Sequence, residues 1–279
     1  MNKEIQKWLL SNQVEIENNS DISEGLNSKI TLIETRDNKF ILKKYNGSEK
    51  LKNERLNREV AFLKYASSLR IRRTPDLINY NKDLNCSLIS FIEGVKPDSN
   101  DCEFWLQFIS FIRDLQMEKT LDKTILPIAC ESCFNTNQHV ELIRERYENI
   151  NRYKFWSIEN KNMAEAIIEI EYEKFIKNIA ININKINESD SGNIVISPSD
   201  VGIHNSLIHR RKAYFIDFEY AGKDSIYKLI SDTLLTPSQI LNEQSILYIL
   251  KGFEELIDLN KYKKELIFFA EMYKFKWLL

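Results

Sequence analysis

Apolar and polar positions alternate over short stretches in the first third of the chain and recur every three to four residues over most of the rest. The first period suits strands and the second suits helices. A short amphipathic helix is expected at 5–10, and the chain becomes strand-rich from Val14. Residues 21–33 read as strand, turn, strand, with Gly25 in the turn, and 39–45, K-F-I-L-K-K-Y, as a strand that ends in cations. Residues 51–68 change to helical spacing, with Leu56, Val60, Leu63 and Ala66 on one stripe, and Pro75 closes that region. Strands are predicted again at 76–80 and 86–92.

Beyond Gly94 helices dominate. Pro97 and Asp98 open a polar linker. Residues 103–117 then carry Phe104, Phe108, Phe111, Ile112 and Leu115 at helical intervals, a stripe that reads as core. Residues 126–134 form an irregular connector. Further helices are expected at 138–153, 163–186, 240–257 and 262–279, the last reaching Leu279 without a stop signal, as a truncated C-terminus would. Short strands are predicted at 193–196 and 213–216, with 209–212 as the turn between them. Asp224 is placed as the cap of a helix over 225–235. The pattern predicts an α+β chain of two lobes, 1–94 rich in strands and 95–279 mainly helical with a small β-hairpin.

Composition narrows the function classes. With 279 residues, 43% apolar and 29% charged, the chain suits a soluble globular protein. A formal net charge of −2 offers no basic excess for nucleic acid. The basic runs at 70–73 and 209–212 read as solvated turns or helix ends. No stretch is apolar enough to cross a bilayer, and the N-terminus is polar rather than signal-like. Four cysteines without framework spacing fit a reducing cytoplasm, and the Cys130-x-x-Cys133 pair reads as buried thiols rather than a zinc or redox site.

Candidate chemistry gathers in 196–219. Asp200 and Asn205 stand in a D-x-x-x-x-N spacing, and the 213–216 strand delivers Asp217 at its end. Phosphoryl transfer uses such a set: one carboxylate for the proton of the attacking hydroxyl, and an amide oxygen and a second carboxylate for Mg²⁺. His204 beside Asn205 reads as structural. On the 39–45 strand, Lys43 is preferred over Lys44 as a phosphate-reaching lysine, and Glu59 or Glu54 of the next helix could hold it. Backbone N–H groups at the Gly25 turn could approach phosphate.

These residues resemble the catalytic and metal-binding segments of the aminoglycoside phosphotransferase and choline kinase group, and the S-P-S-D…H-N and I-D-F-E-Y-A-G wording looks like an uncharacterised bacterial branch of it. The resemblance implies a bilobal protein-kinase-like fold that uses ATP or GTP with Mg²⁺ to phosphorylate a small-molecule hydroxyl, of an aminoglycoside, sugar or amino alcohol. It implies Asp200 as base, Asn205 and Asp217 as metal ligands, Lys43 held by Glu59 at the phosphates, and backbone groups of Phe91, Ile92 and Glu93 at the adenine. The 126–134 connector also resembles that branch, and Glu131, upstream of the catalytic segment, reads by position as a helix cap or as lining of the acceptor pocket. Ser197-Pro198-Ser199 replaces the usual His-Gly approach to the base, and Asp224-Ser225-Ile226 stands where the branch carries Asp-Asp-Pro. A protein kinase is the first rival reading, but H-R-D, D-F-G and A-P-E are absent. A nucleotide-binding protein without kinase activity is the second, and the intact Asp200, Asn205 and Asp217 stand against it.

Overall fold

A computed structural model describes residues 2–24, 27–117, 126–150, 158–186, 194–200 and 202–279. Gly25 lies outside them. The first lobe is a five-stranded antiparallel sheet in the order β1-β2-β3-β5-β4. Its strands are β1 (Asn18–Glu24), β2 (Ser28–Glu34), β3 (Lys39–Tyr45), β4 (Leu77–Asn81) and β5 (Cys86–Ser90). The strand pleat sends alternate residues of β3 to opposite faces. Leu42 joins Ile33 and Leu88 in a core closed by Ile5 and Leu9 of α1 (Lys3–Ser11). Tyr45 points the other way, onto Leu56 and Val60 of α2 (Glu49–Ser68). Lys43 shares that second face, so a cation is carried into the space between sheet and helix.

Helix α2 starts before the expected residue 51 because Ser48 caps it, its side chain accepting from the Leu51 N–H. The helix serves two cores. Leu56 and Val60 face the sheet, whereas Phe62, Leu63 and Tyr65 belong to the large core of the second lobe. The Phe62 ring stacks on Phe218 with centroids 4.3 Å apart. The Tyr65 hydroxyl donates to the Leu115 carbonyl at 2.8 Å.

The second lobe is built on α3 (Cys102–Asp114), α4 (Thr136–Asn149), α5 (Ile158–Asn182), α6 (Ile226–Leu235), α7 (Glu243–Phe253) and α8 (Lys263–Lys276). The aromatic stripe of α3 is core, as its spacing predicts: Phe104, Phe108 and Phe111 surround the Phe215 ring. Helix α7 begins after the expected residue 240 because Asn242 caps it, accepting from the Ser245 N–H.

Two expectations are corrected here. The strand β6 (Ile194–Ser197) does not pair with the strand that leads to Asp217. It pairs with β9 (Gly222–Ser225), while β8 (Lys212–Phe215) pairs with β7 (Ser206–His209). The hairpin turn is the pair Arg210-Arg211, both at positive φ (47° and 65°), as the tight two-residue hairpin turns with matching twist require. Asp224 is not a helix cap either. Ser225 caps α6, accepting from the Tyr227 N–H, and Asp224 is fully buried against Lys228 at 2.7 Å.

His139 fastens α4 to α8. It is buried, shares a 2.8 Å hydrogen bond between its Nδ1 and the Tyr273 hydroxyl, and lies against the Phe269 ring. Burial, helped by nearby Lys228 and Lys276 and opposed by Asp232, pulls its pKa down to about 3. In the unfolded chain the imidazole titrates near 6.5. Between those values only the unfolded state holds the proton, so acidification through that window removes stability. Melting curves of the wild type and His139→Asn should therefore converge as pH falls from about 7 to about 5. A difference in melting temperature independent of pH would contradict this.

Candidate active site

Lys43 is the most enclosed cation of the site, 2% exposed. Its Nζ lies 3.3 Å from Glu59 Oε1 on α2 and 3.1 Å from Glu219 Oε2, and it donates a short hydrogen bond to Asp217 Oδ1. Burial alone would lower its pKa, but the three carboxylates outweigh burial and raise it. They also crowd one another. Burial first, then Asp217 and Glu219, lift Glu59 to about 7 against the pull of Lys43. Glu219 is shifted upward too, chiefly by burial.

Glu59 is itself fixed from several sides. Oε1 accepts from the Phe218 N–H at 3.3 Å, and Oε2 accepts a short bond from the Tyr45 hydroxyl, which also meets Ser87 Oγ at 3.1 Å. The rival Glu54 instead pairs with Arg58 of its own helix at 3.4 Å. Lys44 is half-buried and takes no part in the cluster.

Asn205 touches Asp200 directly and is tied to Asp217 through the backbone of its neighbour Ile216. The Asn205 Nδ2 donates to Asp200 Oδ2 at 3.0 Å. The Asn205 carbonyl accepts from the Ile216 N–H at 2.9 Å, which places Asp217 beside it. Asp217 leaves the strand with φ of 67°, left-handed for a side chain with no glycine freedom. Such strain collects at functional sites, where surrounding contacts hold it in place.

Asp200 is half-buried, which would raise its pKa. Hydrogen bonds from His204 and Asn205 outweigh that and hold it below the usual carboxylate value, so it is ionised at neutral pH. The His204 Nε2 lies 3.1 Å from Asp200 Oδ1, and its Nδ1 lies 2.8 Å from Ser238 Oγ. Gly202 makes room for this ring: a Cβ there would sit 2.7 Å from His204 Nδ1. The Asn205 Nδ2 is committed to Asp200, which leaves its Oδ1 available for a metal. Asp217 likewise keeps Oδ2 beside the oxygen that Lys43 takes. One amide and one carboxylate suit Mg²⁺, which completes its octahedron with waters and phosphate oxygens. No group of three His, Cys, Asp or Glu side chains able to hold a metal occurs among the described residues.

Three contributors escape the motif spacing. Glu219 adds the third carboxylate around Lys43. His204, expected to be structural, touches Asp200. Lys96 donates to the His204 carbonyl in a short contact and lies within the field of Asp217. Of the segment expected at the adenine, the Phe91 N–H is used by the Lys39 carbonyl at 3.3 Å. All four cysteines are free thiols, and burial pushes Cys133 up to about 12. No described helix is long and apolar enough to cross a membrane.

Solved structures share this arrangement of lobes. APH(2")-IIa, in its ternary complex with streptomycin and ATP, superposes with a TM-score of 0.65 at 14% identity, over 99% of this chain and 88% of that one. The spectinomycin phosphotransferase APH(9)-Ia, with ADP and spectinomycin, gives 0.63 at 15% identity, over 99% and 93%. The choline kinase LicA from Streptococcus pneumoniae gives 0.62 at 13%, over 99% and 89%. No protein-family model matches the chain, and no curated protein matches it in sequence. At these identities the likeness is one of fold: the chain has the bilobal α+β architecture of the protein-kinase-like proteins.

Removing Lys43 leaves its carboxylates facing each other in a buried space. Lys43→Met should cost about 3–5 kcal/mol in urea unfolding at about pH 8, as the loss of one partner from a buried ion pair does. Because the Glu59 pKa is already raised to about 7, protonation relieves the repulsion at lower pH. The cost should then shrink by at least about half near pH 5. An equal cost at both pH values would show that charge is not what the lysine balances.

Proposed function

We propose that the chain is an ATP-dependent phosphotransferase that moves the γ-phosphoryl group onto a hydroxyl of a small molecule. The observation that carries this reading is the grouping of Asn205 hydrogen-bonded to Asp200, the Ile216 N–H next to Asp217 bonded to the Asn205 carbonyl, and Lys43 paired with both Asp217 and Glu59. Asp200, ionised and oriented by His204 and Asn205, takes the proton of the acceptor hydroxyl as its oxygen attacks the γ-phosphorus and ADP leaves. The Asn205 Oδ1 and the Asp217 carboxylate hold Mg²⁺, which when bound supplies positive charge to the phosphate oxygens. Lys43, kept in place by Glu59 and Glu219, meets the phosphates, and backbone groups of the segment at Ile92 and Glu93 meet the base. GTP is the alternative donor, and the same residues serve it.

The solved structures support the reading, since several proteins of this fold are phosphotransferases seen with ATP or ADP. Mg-ATP should raise the melting temperature of the wild type and leave Asp217→Ala unchanged, with Mg-GTP measured alongside to rank the two donors. Asp200→Asn should keep nucleotide binding and lose about 10²–10⁴ in the rate of phosphoryl transfer. Undiminished turnover in Asp200→Asn would overturn the assignment of the base.

A further inference from the structure

A cavity of about 260 Å³ opens beside Asp200, walled by Glu131, Arg146, Lys228, Asp232, Lys276 and Trp277 among others. Its outer wall is the 126–134 connector. That segment is braced by the Cys130 N–H on the Tyr220 carbonyl (2.9 Å) and the Ala129 N–H on the Lys223 carbonyl (3.0 Å). Glu131 does not cap α4, whose cap is Asn135. It stands at φ of 55°, and both its oxygens take the Arg146 Nη2, at 2.7 and 2.6 Å.

The charges in this wall cancel before any ligand arrives. Asp232 is held by Lys276 (2.9 Å), by the Trp277 Nε1–H (2.9 Å) and by Lys228 (3.3 Å). Lys228 is also tied to the buried Asp224 at 2.7 Å. The lining residues carry three cations, Arg146, Lys228 and Lys276, against three carboxylates, Glu131, Asp232 and Asp200, and only Asp200, held by His204 and Asn205, lacks a lysine or arginine partner. A multiply charged amine finds no unpaired carboxylate beyond Asp200 and would have to break buried ion pairs to satisfy its other charges, each costly to open. A neutral hydroxyl, donor and acceptor at once, can bond paired charges without displacing either partner. The cavity is also smaller than the roughly 300–1,000 Å³ of sites that take drug-sized ligands. Tyr220 and Trp277 give it aromatic surface, and both are fixed, Tyr220 by Asn27 (2.6 Å) and Trp277 by Asp232.

We infer that this cavity is the acceptor site, and that it selects a neutral, one-ring polyhydroxy compound, a monosaccharide or cyclitol, over amines and multi-ring aminoglycosides. The inference rests on the phosphotransferase reading above. Arg146 and Trp277 are its specificity-determining residues: Arg146 neutralises Glu131, and Trp277 walls the ring.

The test measures ADP release by the full chain with Mg-ATP, against a library of aldoses, ketoses and cyclitols, with glucosamine, choline and gentamicin alongside. At least one neutral compound should speed ADP release about tenfold or more over water alone, and choline and gentamicin should not. For that compound Trp277→Ala should raise KM about tenfold with kcat within about threefold, the mark of lost binding rather than lost chemistry. Trp277→Phe, which keeps a ring, should show a smaller rise and serves if the alanine variant does not fold. Arg146→Gln, which leaves the Glu131 carboxylate only Lys276 at 4.0 Å, should shift preference toward glucosamine about tenfold. A library in which no neutral compound is turned over would overturn the inference. Faster turnover of choline or gentamicin than of every neutral compound would overturn it while leaving the phosphotransferase reading intact. If Mg-nucleotide neither raises the melting temperature nor is hydrolysed at all, the underlying reading falls and takes the inference with it.

Discussion

The Lys43 ammonium and its three carboxylates join a central strand, a helix and the loop after a hairpin of the other lobe. Each group is there because a different element brings it. The pleat of β3 turns Lys43 toward α2, helical spacing puts Glu59 opposite, and the left-handed Asp217 lets the chain turn so that Asp217 and Glu219 both face the lysine. The enclosure makes the arrangement exacting. Burial first, and then the crowding of one carboxylate by another, pushes Glu59 and Glu219 toward holding a proton.

Much of this was legible in the sequence. β3 has the predicted bounds, the aromatic stripe of α3 is core, and Lys43 rather than Lys44 meets Glu59 rather than Glu54. What failed had physical reasons. β9 is Gly-Lys-Asp-Ser, which carries no strand-forming side chain; it is a strand because β6 on one side and the Ile128 backbone on the other supply its partners. β7 was absorbed into the turn because four residues are too few to show a period, and because Arg-Arg gives no sign of a two-residue turn. Once β7 is missed, β6 takes its place as the apparent partner of β8.

The overlooked site residues left fainter traces. Glu219 sits in an otherwise apolar and aromatic run, and an acid buried in such a run needs a cation. Lys228 and Asp232 lie one turn apart on α6, and Asp224 stands four residues before Lys228 at the end of β9, so the three charges are spaced to pair. That spacing was readable in the sequence. Their closure by Lys276, 44 residues beyond Asp232, was not, because only tertiary packing brings α8 there.

The double allegiance of α2 bears on where the molecule divides. Phe62 and Tyr65 weld this helix to the second lobe, while its tie to the sheet runs through Leu56, Val60 and the Glu59 carboxylate. The boundary between the two cores therefore runs along α2, inside the first lobe and well before the residue where the chain crosses over.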